Sequence, residues 1–255
     1  MIPKILHTIW IGNHKPRIDF RNKWTVFDDT WKIIHWDDKK LENFALHHIE
    51  GPTLKSDYVR LLILQKFGGI YADTDMMFFK PLDKFLNAKA FFTYQFPYIE
   101  KPLEFTPKGL SLEKCIKKDK INIFKFYNKD TYLNNNLIGS EPNSKVINTF
   151  IDIFRENMKL PVEQRFSYYD YGAGPSMTTY VANKFVDVNG YTQHCDDLSV
   201  WESKIFHPTN YIQYQKQIRA RNFNMINEQI EIAKKLRSYS VHFQTANEVE
   251  TYANS

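Results

Sequence analysis

The stretch from Ser56 to Asp75 constrains this chain more than any other. Leu54, Tyr58, Leu61 and Leu62 fall at i, i+4, i+7 and i+8, which is one face of a helix. Val59, Ile63, Leu64 and Phe67 occupy much of the remaining circumference, so the helix has to be covered on most sides. Gly68 stands where a helix ends in a left-handed residue, and Gly69 lets the chain turn sharply into Ile70-Tyr71-Ala72, a short strand. Asp73 and Asp75 then alternate across an extended segment that Met76 to Phe79 continue and Pro81 closes. Two carboxylates on the rim of a hydrophobic strand are costly to desolvate unless a cation meets them.

The flanking sequence supplies a sheet for that unit. Ile5 to Gly12 is mostly apolar, β-rich and glycine-terminated, the pattern of a buried first strand in a parallel sheet. Asn13 to Pro16 makes a loop, and Ile18 to Phe27 has the spacing of a helix with Phe20, Trp24 and Phe27 on one face. Trp31 to Trp36 reads as a second strand, and Asp37-Asp38 would cap a helix running to about His48. Strand–helix–strand–helix order argues for an α/β sheet with right-handed crossovers, whose ligand crevice lies beyond the carboxyl ends of its strands. Trp10, His35 and Asp73 all fall at such ends.

Past Pro81 the pattern loosens. Ala90 to Phe96 and Asn134 to Gly139 read as strands, Ser144 to Asn157 as a helix, and Lys101 to Lys129 as a lysine-rich insertion. Gly172-Ala173-Gly174-Pro175 opens another helix, with Pro175 in a tolerated first-turn position. Short strands are expected within Ile205 to Tyr214, an amphipathic basic helix over Arg221 to Leu236, and a last strand over Tyr239 to Phe243.

A chain of 255 residues, 43% hydrophobic and 25% charged, is ordinary for a globular protein with one sizeable core. Its net charge of +5 is mild and demands no nucleic acid; a basic face serves a diphosphate or anionic lipid equally well. Cys115 and Cys195 form no metal or redox spacing, which suggests a reducing compartment. Met1 to Ile5 lacks the apolar run of a signal peptide, and no stretch approaches the ~20 apolar residues of a spanning helix. The expectation is a cytoplasmic protein, with the basic residues of Lys216 to Arg237 as a candidate peripheral contact to the inner face of an anionic membrane.

Each motif has a bland and a chemical reading. Asp73-Thr74-Asp75 is either a solvated turn or a site where Mn²⁺ or Mg²⁺ meets a substrate diphosphate, since hard cations take carboxylate oxygens and phosphates. Asp57 and Arg60 are either an ordinary i, i+3 ion pair or, on so apolar a helix, a pair facing a polar cavity. Trp10 is a core anchor or a platform for a nucleotide base. His7 and His35 are core or surface histidines. His242 is watched because a late strand could return beside the two aspartates and supply a metal or phosphate contact.

Ile2 to Gly12, Ser56 to Arg60 and Gly68 to Asp75 together resemble glycosyltransferase family 32, sugar transferases with an Asp-x-Asp motif that include bacterial capsule enzymes and Golgi mannosyltransferases. More distantly they are similar to the glucosyltransferase domains of large clostridial toxins. The resemblance covers about the first third of the chain. It implies a GT-A fold: a Rossmann-like, mostly parallel sheet flanked by helices, with an irregular insertion and a C-terminal helical segment. Residues 1–255 would form a single catalytic domain, 1–81 its nucleotide-binding half and 82–255 its acceptor half, with the insertion near 101–130.

The implied activity is retaining transfer of a sugar from a nucleotide sugar, a UDP-sugar on the bacterial likeness, to a glycan or polyprenyl-linked oligosaccharide in surface polysaccharide synthesis. Carried over by position, Trp10 would stack on the base, and Asp57 and Arg60 would bind donor sugar and phosphate. Tyr71 would line the nucleotide pocket, Asp73 would contact ribose and the metal's water shell, and Asp75 would ligate the metal. Family members often end in a His-His-Trp-like strand; Val241-His242-Phe243 keeps one histidine and lacks the tryptophan. The alternatives are transfer to a protein acceptor, a catalytically dead sugar-nucleotide-binding module, and a haloacid-dehalogenase-like phosphatase. The last would put Gly-Thr after the motif, where this chain has Met76-Met77.

Overall fold

A computed structural model describes residues 1–13, 21–94, 133–161, 174–208 and 224–243. Its centre is a seven-stranded sheet in the order β2-β1-β3-β6-β5-β8-β7. The first three strands, β1 (Ile5–Ile9), β2 (Lys32–Trp36) and β3 (Gly69–Ala72), run parallel, with Ile5 opposite Lys32 and Leu6 opposite Ile70. The strand β4 (Met76–Phe78) leaves this sheet, and β5 (Ala90–Tyr94) rejoins it beside β6 (Leu133–Ser140). β6 is antiparallel to both β3 and β5, β8 (Ser199–Trp201) is parallel to β5, and β7 (Gln193–His194) runs antiparallel at the edge. Five strands therefore share one direction and two oppose it. This is the mixed, mostly parallel α/β architecture expected of a GT-A fold.

Helices cover the sheet because its strands bury side chains on both faces. Along β3, Tyr71 enters one core while Ile70 and Ala72 enter the other; along β6, Ile138 and Leu137 divide in the same way. The first core is filled by α2 (Pro52–Phe67), which follows the single turn α1 (Asp38–Leu41), and by α3 (Lys145–Met158) and α4 (Pro175–Ala182). Tyr58 of α2 stacks on Phe154 of α3 at 4.4 Å between ring centroids. The second core is aromatic, with Trp24, Phe27, Phe78, Phe85, Phe91 and Phe206. Against it lie the short α5 (Ser203–Phe206) and α6 (Asn224–Lys235), the latter leading into β9 (Ser240–His242). β9 pairs antiparallel with β4 in a separate two-stranded sheet.

Several expected elements are shorter or different. Of the helix expected over Ile18 to Phe27, the described part is one 3₁₀ turn, Arg21–Lys23. Trp24 is drawn inward by its indole N–H donating to Met76 O at 2.8 Å, and Phe27 packs on Trp31 and Phe78. Asp37 caps α1 as expected, accepting from Lys40 N at 2.9 Å, but the helix stops at Leu41 rather than near His48. The next buried residue, Leu46, is five positions on, a spacing that takes it off the helix face of Leu41. Ser203–Phe206 is helical where strands were expected from Ile205. Residues 209–214 of that stretch, the lysine-rich insertion, Gly172-Ala173 and the polar tail lie outside the described residues. Among the described residues no helix is long and apolar enough to cross a membrane.

Candidate active site

The site forms where α2 stops. Gly68 donates its N–H to Leu64 O at 2.9 Å, with φ 63°, and Gly69 follows at φ 95°, aiming β3 between β1 and β6. Beyond Ala72 the chain does not stay extended. Asp73 N bonds Asn136 O at 3.0 Å, and Met76 N closes a turn onto Asp73 O at 3.2 Å. The expected alternation of Asp73 and Asp75 across a strand is therefore replaced by a turn that brings both carboxylates to one point. The capture of Met76 O by Trp24 and the full burial of the Met76 side chain fix where that turn must end.

The β4–β9 pairing then delivers the third group. Met76 stands opposite His242, so the imidazole lands beside Asp75. His242 Nε2 lies 2.9 Å from Asp75 Oδ1 and 3.7 Å from Asp73 Oδ2, and Phe243 N–H reaches Asp75 O at 3.3 Å. One ligand atom from each of Asp73, Asp75 and His242 falls within 4.8 Å of the others. Asp75 is buried, 2% exposed, whereas the Asp73 side chain is 28% exposed at the mouth.

Behind the aspartates sits Arg60, buried on α2. Nη2 pairs with Asp57 Oδ1 at 2.7 Å and Nη1 with Asp73 Oδ1 at 3.5 Å; Nη1 also donates to Asn135 O at 2.6 Å, and Nε to Ser56 O at 3.2 Å. Its guanidinium carbon lies 4.3 Å from the centroid of the Tyr71 ring. Tyr71 OH donates to Asp73 Oδ1 at 2.6 Å, and Asn135 Nδ2 donates to Asp57 Oδ1 at 2.9 Å. Each nitrogen of Arg60 is thus engaged within the chain, which makes it the pin of a carboxylate–phenol–amide network.

The electrostatics follow from this packing. Burial works against the Arg60 charge, but Tyr71, Asp57 and Asp73 outweigh it and hold its pKa above the ordinary value. Burial pushes the Asp73 carboxyl up, with Asp75 adding to the rise while Arg60 and His242 oppose it. His242 loses by burial yet ends above the usual imidazole value, because Asp75 and then Asp73 favour its proton. Two carboxylates and one imidazole around a common point fit a divalent cation that accepts both oxygen and nitrogen, and a dication would relieve the crowding of Asp73 and Asp75.

Other sequence candidates fall outside this cluster. Trp10 follows β1, half-buried, its N–H on Trp36 O at 2.9 Å. His7 is structural: fully buried, its Nε2 is 2.9 Å from Gly68 O and its Nδ1 accepts Trp36 Nε1–H at 3.1 Å. Only the neutral ring can accept from Trp36, and burial pushes the His7 pKa down to about 4. The folded pKa lies below the unfolded value near 6.5, so the contribution is present above pH 6.5 and is lost as pH falls towards 4. It should reach about 3 kcal/mol across that window. Urea midpoints at pH 7 and pH 4.5 should therefore separate more in the wild type than in His7→Gln, which can donate and accept without titrating; equal separations would refute the assignment.

Sequence reasoning passed over Asn134 to Asn136 and His207. Three consecutive asparagines are poor strand formers, and their presence inside an apolar run was the available signal. In the fold Asn134 and Asn136 are buried; Asn136 O receives Asp73 N–H, Asn135 meets Arg60 and Asp57, and Asn134 Oδ1 holds Asn136 N–H. His207 is buried against Thr93 Oγ1 at 3.0 Å with its ring 6.1 Å from that of His242; burial, then His242, pushes its pKa well down.

Residues 21–92 match the family described as a glycosyltransferase sugar-binding region containing a DXD motif. The chain is 26% identical over 229 residues to an uncharacterized glycosyltransferase of Acanthamoeba polyphaga mimivirus, covering 82% of this chain and 74% of that protein. It is 26% identical over 105 residues to inositol phosphoceramide mannosyltransferase 1 of Schizosaccharomyces pombe, covering 35% of this chain and 33% of that protein. Among solved structures, PaToxG glycosyltransferase superposes with a TM-score of 0.43 at 18% identity, over 72% of this chain and 70% of that one. Residues 21–92 thus carry a DXD sugar-binding region, and the chain is a glycosyltransferase.

Proposed function

We propose that this enzyme moves a hexosyl group, with retention, from a UDP-sugar to a hydroxyl of a glycan or polyprenyl-linked oligosaccharide in surface polysaccharide synthesis, and that it depends on Mn²⁺ or Mg²⁺. The observation that carries the metal dependence is the convergence of Asp73, Asp75 and His242 within 4.8 Å at the end of β3. A divalent cation held by these three residues would neutralise charge on the departing diphosphate. Arg60 keeps Asp57 and Asp73 in place and adds a permanent positive charge beside that diphosphate. Asp57 would accept hydroxyl hydrogen bonds from the donor sugar, Tyr71 would line the nucleotide pocket, and Trp10 would stack on the base.

In the reaction the anomeric carbon–phosphate oxygen bond breaks and an anomeric carbon–acceptor oxygen bond forms. With same-face attack, the acceptor proton passes to the departing phosphate oxygen. Retention and the uridine donor rest on the resemblance of the three sequence blocks. In this reading residues 1–81 form the nucleotide half of one domain and the rest the acceptor half. The fission-yeast relative is named as an inositol phosphoceramide mannosyltransferase, which favours a lipid-linked acceptor here. Such an acceptor calls for a cytoplasmic enzyme working at the inner face of a membrane.

The test is thermal stability against UDP-, GDP- and other nucleotide sugars, with and without Mn²⁺. A ligand at ~100 times its dissociation constant adds about 2.7 kcal/mol, several degrees for a chain of this size. The expected result is a metal-dependent shift with one donor. A folded protein that shifts with none would overturn the proposal.

A further inference from the structure

The ring nitrogen of His242 that faces away from the aspartates has a partner the sequence did not suggest. Asn136 Nδ2 meets His242 Nδ1 across the gap between β6 and β9. Asn136 is 1% exposed, and its backbone is held on both sides, N–H to Asn134 Oδ1 at 3.0 Å and O to Asp73 N at 3.0 Å. Its side-chain oxygen, also buried, has no hydrogen-bond partner among the described residues. A buried amide with one end engaged and the other idle is costly, yet the same amide serves either way by a half-turn about its last bond.

The two orientations suit two states of His242. With Nδ2–H donating to Nδ1, the imidazole proton lies on Nε2, directed at Asp75 Oδ1 2.9 Å away. A cation among Asp73, Asp75 and His242 needs the Nε2 lone pair, so the proton must then sit on Nδ1 and the facing group must accept it. The idle oxygen of Asn136 is that acceptor. His207, the other imidazole nearby, is occupied with Thr93 through Nε2.

We infer that Asn136 is a positioning residue for His242: its amide turns over as metal enters, Oδ1 accepting the Nδ1 proton and holding Nε2 towards the space between the aspartates. This rests on the metal reading above. Because Asn136 also supplies the carbonyl that receives Asp73 N–H, one residue of β6 sets the backbone of one ligand and the ring of another.

The measurement is Mn²⁺ affinity, followed by the electron paramagnetic resonance signal of free Mn²⁺ as MnCl₂ is added to the intact protein. Asn136→Leu has a similar volume and no acceptor; it removes the idle oxygen together with the Nδ2–H that meets His242 Nδ1, and should bind Mn²⁺ roughly 10–100-fold more weakly. Asn136→Asp always offers an acceptor and should bind within about threefold of wild type or more tightly. A purely structural role would lower melting temperature in both variants without this split in affinity. Asn136→Leu binding Mn²⁺ as wild type does, or Asn136→Asp weakening as much as Asn136→Leu, would overturn the inference while leaving the metal site intact. Wild type that takes up no Mn²⁺ would overturn the metal reading, and this inference with it.

Discussion

Asp75→Asn is expected to lower kcat/KM by roughly 10³-fold while leaving the protein folded. The substitution keeps shape and an oxygen that can face His242, and removes only the charge. The residue is buried beside Asp73, whose own carboxyl is pushed up by burial and by Asp75. Removing the charge relieves that repulsion but gives up the pairing with His242 2.9 Å away, so the two effects oppose and the apo melt should change little in the variant. The metal-dependent gain in melting temperature should vanish. Loss of turnover with an unchanged apo melt separates a cation-holding carboxylate from a structural one. Full turnover in Asp75→Asn would show that the two aspartates are no more than a polar turn. The companion change Tyr71→Phe removes the 2.6 Å hydrogen bond to Asp73 without touching Asp75, and is expected to cost far less.

How much of this site could be read from the sequence depends on how locally each contact is encoded. Asp57, Arg60, Tyr71 and Asp73 lie within 17 positions, along α2 and β3, and the glycine stop between those elements fixes their relation. Their approach was legible, as were the strands β1 and β2, and α3, which is buried along the apolar spacing Val146, Ile147, Phe150, Ile151 and Phe154. The turn at Asp73 to Asp75 was misread because an apolar run on each side looks continuous. What breaks it is Trp24 seizing Met76 O from 52 residues away, a contact no local pattern records. His242 is 167 positions from Asp75, and its place depends on the β4–β9 register, which a short strand leaves undetermined until it pairs. Asn136 was missed for a different reason: a polar residue in a buried strand looks like an error of assignment until the group it faces is known.

Gly69→Ala is expected to cost about 3 kcal/mol or more and to lower the melting temperature by roughly 10 °C. Two separate penalties meet at this position. At φ 95° a side chain is strained by about 1–2 kcal/mol before any contact is considered. A Cβ there would also lie 2.5 Å from Ile5 O and 3.0 Å from His7 Nε2. Neither neighbour can yield cheaply. Ile5 is registered against Lys32 in β1–β2, and His7 is clamped between Gly68 O and Trp36. The strain must then be met by pushing β3 away from β1, and β3 is the strand that carries Tyr71 and delivers Asp73. Molecules that still fold should accordingly bind Mn²⁺ more weakly than wild type, although Gly69 touches none of the ligands. Gly51→Ala isolates the first penalty: its φ is 78°, but nothing lies within 4 Å of its added Cβ, so the cost should stay near 1 kcal/mol. If the two variants melt alike, β1 does not press on β3 at Gly69, and the close packing that aims the acidic turn is not what sets the geometry of the site.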